Sequence, residues 1–179
     1  MGIRICLCLT LALATCGIVL IPSPANAQQA SGYGYAFAGP AAVNIGLHSV
    51  AGNAGGGGEL WLGGGISFGG ELGIVHVPAV EQRTSCCGAS APSATARLVS
   101  VNGSRHFVRS DSETKWRPFI TGGLSVLASG EAFGLFNAGG GAERWISPHA
   151  GIRLEIRDQF LPAASPSVML GFRVGVVFR

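Results

Sequence analysis

The chain has 179 residues, of which 29 are Gly; 12% are charged, 47% hydrophobic, and the formal net charge is +3. An average protein carries roughly 25% charged residues and about 7% Gly, so charge is depleted by about half and Gly enriched about twofold. This balance excludes a disordered chain, which is apolar-poor and charge-rich; the missing Gly-X-Y period excludes collagen, and the missing basic cluster argues against a nucleic-acid partner.

In chain order, the first element is a short basic start, Met1 to Arg4, followed by an apolar run from Ile5 to Ile21 that Pro22, Ser23 and Pro24 end. Ala25-Asn26-Ala27 offers small residues at the two positions signal peptidase reads, so residues 1–27 are expected to be a cleaved secretory signal and residues 28–179 the mature domain. An uncleaved anchor is the alternative, because the run is long. Leu13-Ala14-Thr15-Cys16 gives a weaker lipoprotein reading, since Thr15 is bulky and the run continues past it. Cys6, Cys8 and Cys16 would leave with the signal; the adjacent Cys86 and Cys87 that remain cannot staple a fold.

The mature segment reads by twos. Side chains alternate across a strand, so a period of two marks one greasy face and one polar or small face. Tyr33, Tyr35 and Phe37 lie opposite Gly34, Ala36 and Ala38. A Gly-rich strand near Gly56 to Leu62 carries Glu59. Ile66, Phe68, Gly70, Leu72 and Ile74 lie opposite Ser67, Gly69, Glu71 and Gly73. Ala96 to Phe107 reads as a strand of ambiguous facing. Ile120, Leu124 and Val126 lie opposite Thr121, Gly123 and Ser125, and a strand near Asn137 to Ile146 carries Glu143. Ile152, Leu154 and Ile156 alternate with Arg153, Glu155 and Arg157. In the last strand Val168, Leu170, Phe172, Val174, Val176 and Phe178 share one face; Met169, Gly171, Arg173, Gly175 and Val177 share the other. Turn chemistry separates these runs at Pro78, Ser85 to Pro92, Asp111-Ser112-Glu113, Ser129-Gly130, Ser147-Pro148 and Pro162 to Pro166. The reading gives about eight strands, with connections short on one side and longer on the other.

Two all-β architectures fit. A soluble sandwich buries its apolar faces and exposes its charges, whereas an outer-membrane barrel turns apolar residues to lipid and polar ones inward. Charged residues are too few for a soluble exterior, and several sit on strand faces among Gly, Ser and Thr, which suits the tight interior of eight strands. Tyr33, Tyr35, Phe107, Trp116, Phe119, Trp145, Phe160 and Phe178 lie near strand ends, as interface girdles would require. The predicted fold is an all-β, eight-stranded antiparallel up-and-down transmembrane β-barrel, closed because lipid cannot satisfy open backbone groups.

Gly55-Gly-Gly-Gly-Glu59, Phe68-Gly-Gly-Glu-Leu-Gly73, Pro118-Phe-Ile-Thr-Gly-Gly123, Gly139-Gly-Gly-Ala-Glu-Arg-Trp145, Gly151 to Asp158 and Gly171 to Arg179 follow one another in the order seen in small outer-membrane barrels. The mature segment resembles the eight-stranded OmpA/OmpX-like outer-membrane β-barrel family over nearly its whole length. The resemblance implies a Gram-negative outer-membrane location, outer-membrane lipids as surroundings, and insertion by the barrel assembly machinery, which reads an aromatic-ended last strand. Phe178 fits that signal, although Arg179 follows it.

Seven charged residues are the candidate site: Glu59, Glu71, Glu143, Arg153, Glu155, Arg157 and Arg173. Buried charges persist only when paired, so an interior ion-pair network that closes the lumen is expected; a small-solute or ion pore is the alternative. The expected role is structural or one of surface interaction through the longer connections, with an unidentified loop ligand. A lipid-active hydrolase is a further alternative. It needs a His aligned on a nucleophile, and Ser104 with His106, or Ser147 with His149, stand two apart without an acid at strand spacing; His48, His76 and Ser49 are the other members of the set. No cofactor or metal is expected: Cys86-Cys87 lacks CxxC spacing, and Gly55 to Gly58 and Gly63 to Gly65 lack the Lys-Ser/Thr of a phosphate loop.

Overall fold

The computed structural model describes residues 31–44, 48–82, 89–107, 116–161 and 168–179. The expected signal, residues 1–27, and Cys86-Cys87 lie outside the described residues. Ten strands follow in order: β1 (Gly32–Asn44), β2 (His48–Gly63), β3 (Ile66–Val77), β4 (Val80–Gln82), β5 (Ala89–Ala91), β6 (Ala94–His106), β7 (Trp116–Ser129), β8 (Glu131–Trp145), β9 (Ala150–Phe160) and β10 (Met169–Phe178). Eight of them close a barrel in the order β1-β10-β9-β8-β7-β6-β3-β2. Every pairing in it is antiparallel. β4 and β5 form a separate hairpin in the connection between β3 and β6, a stretch read from sequence only as turn chemistry.

Closure is made by β1 against β10, with Gly34 opposite Phe178 and Val43 opposite Met169. The starts of β1, β3, β7 and β9 therefore share one end of the barrel with the finishes of β2, β6, β8 and β10; we call this the terminus end and the opposite one the far end. The β2–β3 hairpin turns at the terminus end through Gly63, Gly64 and Gly65, with φ of 98°, 59° and 79°. These left-handed values explain the Gly run there without a phosphate. Connection lengths do not sort by end as expected. The longest, 78–93, leaves the far end, but so does the one-residue turn at Gly130, and the terminus end holds 107–115.

The burial alternation places polar side chains inside. In β3, Ser67 and Glu71 are buried while Ile66, Phe68, Leu72 and Ile74 are exposed. In β9, Arg153, Glu155 and Arg157 are buried while Ile152 and Ile156 are exposed. β6, ambiguous in sequence, turns Leu98, Ser100, Asn102, Ser104 and His106 inward and Val99 and Val101 outward. An outer wall of bare aliphatic and aromatic side chains around a charged interior suits lipid and would be costly in water.

The aromatic girdle needs correction. Tyr33, Tyr35 and Phe119 are buried in the interior, at 5%, 3% and 2% exposure, and Trp145 packs against the cluster of Tyr33, Tyr35, Phe37 and Val177. Phe107 and Phe178 do face outward. A buried phenol needs a hydrogen-bond partner, and the charged interior supplies it where lipid would not.

The abundance of Gly follows from this interior. Large inward side chains lie beside inward glycines on neighbouring strands. Arg157 sits between Gly139 of β8 and Gly171 of β10. Tyr35 lies opposite Gly57, where a Cβ would come within 2.8 Å of the phenol oxygen. Small beside large lets a narrow interior hold long charged side chains.

Candidate functional site

The structure brings all seven candidate residues together inside the barrel, each at 3% exposure or less. β9 positions three of them: Arg153, Glu155 and Arg157 project from one face at alternate positions. β2, β3, β8 and β10 supply Glu59, Glu71, Glu143 and Arg173.

Arg153 is the hub nearer the terminus end. Its Nη1 donates to Glu59 Oε1 at 2.9 Å and Glu143 Oε1 at 2.7 Å, and its Nε to Glu155 Oε2 at 3.0 Å. Its guanidinium lies 4.1 Å from the Phe119 ring centroid and 4.6 Å from that of Tyr35. Cation–π contact strengthens when the cation is desolvated, so the rings hold the fork in plane while the carboxylates neutralise it.

The second group lies one layer deeper. Arg157 Nε donates to Glu155 Oε1, and its Nη1 stands 3.4 Å from Glu71 Oε2. Arg173 Nη1 donates to Glu71 Oε1 at 2.9 Å and lies 3.9 Å from Glu155 Oε1, with its guanidinium 4.2 Å from the Phe37 ring. Glu155 thus joins the two groups, receiving Arg153 on one oxygen and Arg157 on the other.

Residues missed from sequence complete the network. The Tyr33 hydroxyl donates to Glu143 Oε1 at 2.8 Å and accepts from Arg153 Nη1 at 3.0 Å. The Tyr35 hydroxyl donates to Glu71 Oε2 at 3.2 Å. With its amide oxygen turned inward, Asn102 accepts from Arg157 Nη1 at 3.0 Å. His106 sets its Nε2 3.2 Å from Glu59 Oε2 and its Nδ1 4.0 Å from Glu143 Oε2. Four carboxylates therefore face three guanidiniums and one imidazole. His106 also packs on Trp61 at 4.4 Å and Phe119 at 5.4 Å between ring centroids. Asn102 and His106 share a face of β6 with Ser100 and Ser104, but the sequence leaves the facing of that strand open, and β1 carries no charged, amide or hydroxymethyl side chain beside Tyr33 and Tyr35 to mark their face as inward.

The far half of the interior is different. Ser100, Ser125 and Asn137 form a hydroxyl–amide chain, with 2.8 Å between the two hydroxyls and 2.9 Å from Asn137 Nδ2 to Ser125 Oγ. Beyond it Ala41, Val43, Ala51, Val75, Leu98 and Met169 pack into an apolar cluster, with Val77 and Leu127 against it. Apolar side chains on the inward face at one end of the lumen were not foreseen from sequence.

The Ser–His pairs read from sequence separate. The Ser104 hydroxyl donates to Thr121 Oγ1 at 3.1 Å, away from His106. Ser147 Oγ accepts from the backbone N–H groups of His149 and Ala150 in the β8–β9 turn. His76 pairs with Thr95 at 2.9 Å on an exposed face. The structure instead sets Ser67 Oγ 3.2 Å from His106 Nε2. That hydroxyl donates to Glu59 Oε2. Phe178, expected as the assembly signal, faces outward with its ring beside Gly34.

The fold is shared with solved transmembrane barrels. A de novo designed transmembrane β-barrel matches at a TM-score of 0.55 and 12% identity, over 82% of this chain and 92% of that one. Neisserial surface protein A matches at 0.53 and 13%, over 84% and 99%. The N-terminal β-barrel domain of Pseudomonas aeruginosa OprF matches at 0.51 and 16%, over 84% and 97%. No protein-family model matches the chain, and no curated protein sequence does. The eight-stranded, all-antiparallel closed barrel is thus the fold of small transmembrane barrels of the OmpA/OmpX-like kind.

Proposed function

We propose that the protein is an integral outer-membrane barrel whose lumen is closed by its own ion pairs, with a structural or surface-interaction role carried by its connections and not by transport. The observation that supports this reading is the interior network: seven charged side chains, each at most 3% exposed, are paired with one another across the lumen. An aqueous path would leave such groups solvated and separable, whereas these are locked by forked, short contacts. The apolar cluster at the far end adds a second seal. Export through a signal and insertion by the barrel assembly machinery, with Phe178 in the last strand as its signal, belong to the same reading.

Heat-modifiability tests the fold. Protein purified from outer membranes should run faster unboiled than boiled and show β-type circular dichroism in detergent. Planar-bilayer recording tests the closure. No discrete conductance steps are expected; reproducible steps whose ion selectivity changes in the Glu71→Gln variant would replace the closed lumen with a pore.

A further inference from the structure

The charges outside the lumen are distributed unequally between the two ends. Arg105, Arg117 and Arg144 lie within the last or first two residues of β6, β7 and β8 at the terminus end, and Arg179 follows β10 there. Arg105, Arg144 and Arg179 are exposed and Arg117 is half-buried. Among the described residues none of the four meets a carboxylate; Arg144 lies 5.8 Å over Trp116 and Arg179 lies 4.2 Å over Trp145. The acids described at that end, Glu59 and Glu143, are buried and already paired to Arg153. Trp61, Trp116 and Trp145, all the tryptophans of the chain, are also at this end. At the far end Arg97 is accompanied by Glu131 and Asp158.

Beside Arg179 the outer wall is hollowed. A shallow groove of about 530 Å³ there is lined by Gly32, Tyr33, Gly34, Gly58, Glu59 and Arg179, with Leu60 lying over Gly32 and Phe178 over Gly34. A guanidinium engages phosphate through paired N–H donors, so a rim of arginines without carboxylate partners among the described residues matches a lipid with an anionic phosphate head. Although connection lengths are mixed between the ends, the longest, 78–93, leaves the opposite end, and the longer connections of transmembrane barrels face outside; on that ground we place this rim at the inner, phospholipid leaflet.

Building on the membrane-barrel reading, we propose that the terminus-end rim of Arg105, Arg117, Arg144 and Arg179 selectively holds anionic glycerophospholipids by their phosphate groups.

The test uses protein purified from membranes of cells expressing the full chain and reconstituted into phosphatidylcholine vesicles. A minor fraction of either phosphatidylglycerol or phosphatidylcholine carries brominated acyl chains, and quenching of Trp116, beneath the exposed Arg144, reads which lipid is adjacent, with Trp61 and Trp145 replaced by Phe because both pack against the interior cluster. Phosphatidylglycerol is expected to be favoured about fivefold, the scale of one cation at an anionic surface, and the preference should shrink as salt is raised. It should fall to about one in R105Q/R117Q/R144Q/R179Q, and about twofold in R105Q/R144Q, the version to use if the fourfold variant does not insert. Equal quenching by both lipids in a protein that still shows the heat-dependent gel shift overturns the rim and leaves the barrel intact. Failure of the unaltered protein to insert overturns both. A lipid A arm separates the sources: stronger competition by lipid A than by phosphatidylglycerol overturns the assignment to glycerophospholipid.

Discussion

The two halves of the lumen are filled on opposite principles. Toward the terminus end, charged groups and phenols meet through directional contacts: Arg153 alone joins Glu59, Glu143, Glu155 and Tyr33. Toward the far end, Ala41, Val43, Ala51, Val75, Leu98 and Met169 fill space without direction. Directional contacts fail sharply when one partner leaves, because the others remain buried and charged. Packed aliphatics fail by degrees, according to how well the site collapses or is refilled. One barrel therefore contains a half that tolerates little chemical change and a half that tolerates change of shape at constant volume.

The largest expected effect comes from the directional half. Arg153→Met leaves three carboxylates facing each other and should destabilise the barrel by about 3–5 kcal/mol, measured by urea unfolding in lipid vesicles. Arg153→Lys keeps the charge but replaces the planar fork with a point donor, so much of the loss should persist, about 1.5–3 kcal/mol. Full recovery by Lys would mean that charge alone, and not the forked geometry, holds this half together.

Leu98→Ala should cost about 2–4 kcal/mol through the cavity it leaves. Leu98→Met keeps the volume and should cost less than about 1.5 kcal/mol. The contrast lies in the rescue: the conservative swap succeeds in the far half and falls short in the other. Tryptophan fluorescence reports the terminus end, where Trp61, Trp116 and Trp145 sit; circular dichroism reports both halves, and a divergence between the two probes for Leu98→Ala would show that the halves unfold separately.

Much of the directional half was legible in the sequence, because Glu and Arg at alternate positions of β9 allow only one inward face. The far half was not. Val43, Val75, Leu98 and Met169 are apolar on strands whose other face is also apolar or small, and a period of two separates faces without saying which is inside. β1 shows the same ambiguity. Tyr33, Tyr35 and Phe37 alternate cleanly with Gly34, Ala36 and Ala38, and hydrophobicity alone turns the rings to lipid. The phenol hydroxyls decide otherwise, since Glu143 and Glu71 receive them inside. The partnership of Ser67 with His106 and Glu59 joins strands 8 to 47 residues apart in sequence, and register across closed strands is not visible before the barrel is assembled.

Tyr33→Phe tests whether a neutral donor matters as much as the charges around it. It removes one hydroxyl that donates to Glu143 and accepts from Arg153, while the ring remains packed near Trp61 and Trp145. The expected loss is about 1–3 kcal/mol, the range for an interaction with a charged partner. Because the two residues share Glu143, Tyr33→Phe combined with Arg153→Met should cost less than the sum of the single changes; strict additivity would show that the phenol acts apart from the network.

The smallest effect is expected from a neutral pair within the directional half, between His106 and Asn102 on the inward face of β6. Ser104 and Thr121 share one neutral hydroxyl bond of 3.1 Å across β6 and β7. Ser104→Ala removes the donor, and the Thr121 hydroxyl it leaves can still turn to another acceptor. The cost should be about 0.5–1.5 kcal/mol, the net worth of a neutral bond, read from the same urea midpoint. A loss comparable to that of Arg153→Met would mean that the neutral hydroxyls are coupled to the ion pairs as tightly as the charges are to one another, and that direction of contact, not charge, sets how sharply this half fails.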